Sequence, residues 1–313
     1  MFPNRLYRVA LAALAALVLL PQATRAVADD ATLTIGTIPI DPTAEVYYAQ
    51  EMGFFKKAGL DVTITPFTSG GAIAAAVVGG AVDIGLADSV SMTSAHARGL
   101  PLTYLAPAGI YKKGAETYVI AVPDASPIRT AKDFTGKTIA VNGLKNINEI
   151  PTDAWIDNNG GDSKTVKFVE MPVQEMADAM TQNRIDAAVV QEPFIAAAKK
   201  NARIYADVFG AIGPSFLVSG YFGTSDFAKA NPDLVKSFQR VMRETAIWAN
   251  KNHAKTADIL VSTLHVDAAV VPTMTRAIFA ETLLPGQIQP VIDVAVKYGG
   301  ISNFPASELI YKA

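Results

Sequence analysis

Residues 33–89 and 136–192 read as two versions of one segment, offset by 103 residues. The copies are clearest at their ends. Ala72–Ser89 lies opposite Glu175–Glu192, so that Asp83 matches Asp186, while Asp88 and Ser89 match Gln191 and Glu192. Working backwards, Val62–Thr65 lies opposite Thr165–Phe168, Glu45–Ala58 opposite Asn148–Gly161, and Leu33–Ile38 opposite Gly136–Val141. Self-similarity at a fixed offset marks a repeated structural unit. Each copy has the pattern strand, helix, strand, helix, strand. Short β-rich runs alternating with helical stretches predict βαβ units on a parallel sheet. The chain is therefore expected to be α/β and two-lobed.

Local signals agree. Gly53 and Gly59 punctuate the first helical stretch and its exit, and Lys56 and Lys57 fall in its last turn, where cations suit the helix dipole. Asp83 and Asp186 precede short apolar runs and read as solvated turn acids that help start a strand, not as ligands. Beyond the repeat, Val208–Phe222 is apolar, glycine-rich and strand-like. Asn231-Pro232 then announces a helix, with Asn231 as N-cap and Pro232 at its first position. Leu234, Val235, Phe238, Val241, Met242, Thr245 and Trp248 follow at helical spacing, the mark of a core face. Two more helices are predicted near Thr256–Leu264 and Gln287–Tyr298.

The N-terminus bears on location. Arg5 and Arg8 precede an unbroken apolar run, Val9–Leu20, then Pro21 and Ala26-Val27-Ala28 ahead of Asp29-Asp30. That is the order of a cleavable secretory signal. The run is shorter than the roughly 20 apolar residues a spanning helix needs. The expectation is export, loss of residues 1–28, and no membrane insertion afterwards. The sequence has no cysteine, which excludes disulfides, thiolate metal sites and a lipid anchor on an N-terminal Cys. The predicted location is the periplasm, soluble and not lipid-anchored. The signal holds three arginines, so 24 bases face 29 acids and the remaining chain carries a net −5. That argues against nucleic acid, which wants a basic stripe, and against an anionic membrane surface.

A set of motifs runs in order along the chain: Tyr48–Val62, Ser69-Gly-Gly, Gly80–Gly85, Asp133–Val141 and Arg184–Phe194. In combination they resemble the periplasmic binding proteins for sulfonates, taurine, nitrate and thiamine-precursor pyrimidines. The resemblance implies a type II periplasmic binding protein fold with a two-strand hinge and C-terminal helices. It assigns 29–112 plus 211–313 to lobe 1 and 113–210 to lobe 2. It also implies lobes that close like jaws on a ligand, and an ABC permease with its ATPase as partners.

In open α/β sheets, ligands bind beyond the carboxyl ends of the strands. The repeat therefore sets three pairs of segments across one cleft. Ile38, Pro39 and the stretch to Asp41 face Asn142, Gly143, Asn146 and Asn148; Ser69, Gly70 and Gly71 face Met171–Val173; Asp88 and Ser89 face Gln191 and Glu192. Ser69-Gly-Gly opens a helix, which fits an anion site or simply an N-cap and tight turn. The Asn-rich stretch fits a surface turn or a reader of ligand polarity. Glu192 fits a helix cap, a ligand acceptor, or both. The acids Asp88, Glu192 and Asp41 would repel a sulfonate unless paired and would suit a ligand with donor groups, such as an amine or amino-pyrimidine. Tyr47, Tyr48, Tyr111 and Tyr221 fit a stacking face or the core.

No catalytic set is visible. His96, His253 and His265 lack metal-ligand spacing, and there is no Gly-x-Ser-x-Gly, HExxH or Walker motif. No catalytic residue, metal or cofactor is expected. Two rivals share the fold: a pyrimidine-synthase-like enzyme, and a ligand-sensing subunit for a membrane receptor. The reading is an ABC importer's solute-binding component, taking a sulfonate, amine or pyrimidine-like ligand.

Overall fold

A computed structural model describes residues 30–312. The expected signal segment, 1–28, lies outside them. Burial with period two builds the first strand: in β1 (Ala31–Thr37), Leu33 and Ile35 are buried between polar neighbours. There follow α1 (Glu45–Glu51), α2 (Phe54–Lys57), β2 (Leu60–Pro66), α3 (Gly70–Val78), β3 (Ile84–Asp88), α4 (Ser89–Ala97) and β4 (Leu102–Pro107). The single helical stretch expected from Glu45 to Ala58 is two helices, because Gly53 adopts left-handed backbone at φ 68° between them.

β5 (Gly109–Lys112) leads to the second set: β6 (Tyr118–Pro123), β7 (Thr138–Val141), α5 (Glu149–Asn158), β8 (Lys167–Glu170), α6 (Val173–Thr181), β9 (Ala187–Gln191), α7 (Phe194–Ala198) and β10 (Ala202–Asp207). β11 (Ser215–Leu217) leads back to β12 (Ser219–Thr224), α8 (Ser225–Ala230), α9 (Pro232–Ala249), α10 (His253–Leu264), β13 (Ile278–Phe279) and α11 (Pro285–Gly299). The helix expected at Pro232 starts there and buries Val235, Phe238, Val241, Met242 and Thr245, with Leu234 and Trp248 at its half-buried margins.

The two sheets share one plan. The first has strand order β2-β1-β3-β12-β4 and the second β8-β7-β9-β6-β10. In each, the first strand of the repeat runs parallel to both neighbours, and the fourth strand is antiparallel. That fourth strand is the one entering from the other sheet. The crossing segments β5 and β11 pair antiparallel as the hinge, and β13 adds a third short strand beside β5. The fold class read from the sequence is the one observed.

The repeat survives in register. α3 and α6 begin and end 103 residues apart, as do β3 and β9. The offset slips to 104 at the first strand, where Asp83 N–H bonds Thr34 O and Asp186 N–H bonds Thr138 O. Asp83 and Asp186 are less solvated than expected. Asp83 accepts from the Thr34 amide at 2.8 Å and hydroxyl at 2.6 Å. Asp186 accepts from the Thr138 amide at 2.9 Å and Lys137 Nζ at 3.1 Å. Each acid fastens the start of its strand to the neighbouring one.

Gly85 in β3 permits the tightest layer contact near the site. A Cβ there would lie 2.5 Å from Phe222 Cζ and 2.6 Å from Ile73 Cγ2, so α3 and β12 close over that position only because it is glycine. Helix α11 packs on both halves. Its Val291 and Val294 join the core of the second sheet, and its Ile288 and Ile292 join a core of the first.

Candidate ligand-binding cleft

The carboxyl ends of the two sheets meet at a seam. Glu192, after β9, accepts from Thr275 N–H of the C-terminal part at 3.1 Å. Asp88, the last residue of β3, accepts from Ser91 N–H at the start of α4 at 2.8 Å, and the amides of Val90 and, in the other half, Ile147 lie close to it. Burial raises the Asp88 carboxyl above its ordinary value, and these donors oppose the rise.

An open part of the seam forms a cavity of about 650 Å³. Among its lining residues are Ser69, Gly70, Gly71, Gly143 and Asn146, all expected in the cleft. Ser69 caps α3, its Oγ accepting from Ala72 N–H at 3.4 Å. Gly70 leaves room for Asp88, whose Oδ2 would sit 3.2 Å from a Cβ at that position. Asn146 organises its own loop: its Nδ2 donates to Asn142 Oδ1, and its Oδ1 accepts from Asn148 N–H, both at 2.9 Å. Lys145 also lines the cavity and forms a 2.6 Å ion pair with Glu149.

The closed part of the seam holds Ser89, Asn148, Gln191 and Glu192, each no more than 1% exposed. Asn148 Nδ2 donates to Val189 O and Gln191 Oε1 at 3.3 and 3.4 Å. Three polar atoms there are buried without any hydrogen-bond partner: Ser89 Oγ, Asn148 Oδ1 and Glu192 Oε2. Tyr104 OH lies near Ser89 but forms no well-shaped bond with it and is also unmet. Leaving a buried polar atom unmet costs about 1–3 kcal/mol. Such a cluster asks for an explanation, and a role in binding a polar ligand is one. Burial lifts the Glu192 carboxyl to about 7; the Thr275 amide and Lys199 oppose the rise, and Asp41 adds to it.

The other expected residues play different parts. Pro39 is exposed, and Ile38 packs into a first-half hydrophobic cluster. Asp41 is not a free cleft acid. It is 1% exposed and takes Arg276 Nη2 at 3.1 Å, Ala277 N–H at 2.7 Å and Tyr48 OH at 3.3 Å. Glu192 lies just before α7, and the Ala196 amide in the first turn of that helix also opposes the rise of its carboxyl. Tyr48, Tyr111 and Tyr221 are core residues whose hydroxyls bond Asp41, Asp207 and Glu45, so they offer no stacking face.

Sequence reasoning missed three participants. Arg276 lies outside the repeat and its stretch carries no periodic signal. Tyr118 pairs with Gln191 across β6 and β9, and its hydroxyl is raised by burial and by the nearby Asp88 and Asp41 carboxylates. Glu45 is fully buried, with its Oε1 unmet. Its signal was present, since Glu45 stands 103 residues before Asn148.

The NMT1/THI5-like family model matches residues 42–256, more than half of the chain. The chain belongs to the NMT1/THI5-like family. No curated protein matches it in sequence. Solved structures resemble this NMT1/THI5-like protein over most of its length. The alkanesulfonate-binding protein SsuA from Xanthomonas axonopodis pv. citri, bound to MOPS, is 18% identical, covers 91% of this chain and 100% of its own, and has a TM-score of 0.76. The periplasmic aliphatic sulphonate binding protein SsuA from Escherichia coli is 17% identical, with 90% and 97% covered and a TM-score of 0.73. The periplasmic nitrate-binding protein NrtA from Synechocystis PCC 6803 is 15% identical, with 89% and 84% covered and a TM-score of 0.72. At these identities the likeness establishes the two-lobed binding-protein fold. Among the described residues no helix is long and apolar enough to cross a membrane.

Proposed function

We propose that this NMT1/THI5-like protein is the periplasmic solute-binding component of an ABC importer. It captures a small polar organic ligand between its lobes and delivers it to the permease and ATPase, without catalysing a reaction itself. Lobe 1 is 29–112 plus 211–313, and lobe 2 is 113–210, with α11 lying against both. The observation that carries this reading is the set of unmet polar atoms in the seam between the two sheets. A hydroxyl, an amide oxygen and a carboxylate oxygen are all shut away from water there. Ser69, Gly70, Gly71 and Gly143 form the mouth; Asp88, Asn142 and Asn146 hold the loops that meet there; Ser89, Asn148, Gln191 and Glu192 contact the ligand. The sulfonate and nitrate binders that share this fold support a transport role.

Binding to the native state alone must raise the melting temperature. A thermal-shift panel of sulfonates, amines, pyrimidines and aromatic acids is expected to yield at least one stabilising compound. Small-angle scattering should show compaction on its addition. Chemical turnover of any panel member would replace this reading with an enzymatic one.

A further inference from the structure

The chemistry of the closed seam bears on which ligand fits. Of its unmet atoms, Asn148 Oδ1 is an acceptor, Glu192 Oε2 is one when the carboxyl is ionised, and Ser89 Oγ and Tyr104 OH donate or accept. The orientation of Asn148 is set by its Nδ2, which already donates twice. Several donors an anion would use are taken, although the Ser89 and Tyr104 hydroxyls and the first amides of α3 are not. Asp88 holds the amide of Ser91 and lies close to those of Val90 and Ile147. Its carboxylate thus sits where a helix N-terminus would otherwise receive an anionic ligand. Thr275 N–H is held by Glu192, and Arg276 and Ala277 N–H by Asp41. Lys145 is bound to Glu149. Arg98, at the cavity mouth, and Lys199 are exposed. Of the three acids Asp41, Asp88 and Glu192, Asp41 has the Arg276 guanidinium, and among the described residues no salt bridge is formed by the other two. An incoming sulfonate or carboxylate would add a negative charge beside Asp88 and Glu192 with only the Ser89 and Tyr104 hydroxyls of the closed seam to donate to it, a costly arrangement.

The neighbouring cavity has a different character. Val78, Leu100 and Leu144 are exposed there by 43%, 36% and 52%, and with Leu284 they are the exposed large hydrophobics among the described residues. Three of those four lining one cavity indicates a surface that an apolar group covers.

We propose that this cleft selects an organic cation, a protonated amine or amidine on a short apolar body, whose N–H groups satisfy Glu192, Asn148 and Ser89 while the body lies against Leu144, Leu100 and Val78. The inference rests on the solute-binding reading above and narrows it to a class unlike the sulfonate and nitrate binders of the same fold.

Two measurements test it: a native mass spectrum of the protein as purified, and calorimetric titration with benzylamine, benzamidine, ethanesulfonate, nitrate and benzoate. The expected result is micromolar binding of an amine or amidine and none of the anions. Glu192→Gln should weaken that binding at least tenfold, and Ser89→Ala severalfold, with circular dichroism unchanged for at least one variant. Anion binding without amine or amidine binding would overturn the ligand class and leave solute binding standing. Amine binding indifferent to both substitutions would also overturn the proposal. If no probe binds, a co-purified molecule with a basic nitrogen supports the class and one without it refutes the class. Silent probes with a bare chain in the mass spectrum would remove the solute-binding reading and this proposal with it.

Discussion

Glu192→Gln should make the empty protein more stable at pH 8 while it weakens the ligand site. Burial moves the Glu192 carboxyl from its ordinary 4.5 to about 7. Between those values the native state binds more protons than the unfolded chain. Stability therefore falls as pH rises through that window and is flat above it. At about 1.36 kcal/mol per pH unit, the upper limit of the loss is about 3 kcal/mol. Relaxation and partial solvent screening reduce this to about 1–3 kcal/mol. Glutamine keeps an oxygen for Thr275 N–H and removes the charge. The gain should raise the melting temperature at pH 8 by roughly 2–10 °C for a chain of this size, and shrink towards zero at pH 4.5, where the native glutamic acid is already neutral. Scanning calorimetry of both proteins at pH 4.5, 6 and 8 reads this directly. An equal loss of stability at every pH would show that the bond to Thr275 outweighs any cost of the buried charge. The reasoning from an unmet carboxylate oxygen would then be wrong.

Further substitutions test other parts of the structure. Arg276→Leu strips Asp41 of the cation that pairs with it and should cost about 3–5 kcal/mol in urea unfolding, and adding Asp41→Asn should recover part of that loss. Asp153 on α5, 6% exposed, is raised to about 7 by burial, with Glu149 and Asp157 adding to the rise and Lys145 opposing it. Asp153→Asn should accordingly flatten the decline in stability as pH rises from about 4 to 7, without changing ligand affinity at pH 8. Gly85→Ala forces a methyl into Phe222 and Ile73 and should lower the urea midpoint by an amount equivalent to about 1–3 kcal/mol or more. Unchanged unfolding would mean that α3 and β12 can part at little cost.

What was legible in the sequence was whatever the repeat carried. Asp83 and Asp186 recur with the strands they fasten, and α3 with α6 and β3 with β9 keep the offset at both ends. The same logic placed Ser89, Asn148, Gln191 and Glu192 on one seam. Less legible were contacts between segments with no periodic relation. Arg276 reaches Asp41 across 235 positions of chain, and no local pattern announces such a pair. The division of α1 from α2 was available in Gly53, but a left-handed glycine permits a break without demanding one. The tyrosines illustrate another limit. Composition shows that Tyr48, Tyr111 and Tyr221 exist, while only packing shows that Asp41, Asp207 and Glu45 occupy their hydroxyls.

Four of the eight unmet side-chain atoms among the described residues have an order that neither copy shows alone. Ser89 and Glu192 stand 103 residues apart, and so do Glu45 and Asn148. All four leave a buried polar atom without a partner. Recurrence at equivalent points of two sheets places these atoms where the β3 and β9 carboxyl ends, and the helices after the first strands, converge. The copies then diverge in chemistry at those points: Ser89 against Glu192, Asp88 against Gln191, Glu45 against Asn148. Duplication set out a symmetric pair of jaws. Divergence made them chemically unequal, with carboxylates, an amide and a hydroxyl at matched stations. A symmetric anion such as nitrate makes no use of that inequality, whereas a molecule with a donor-rich head and an apolar body does.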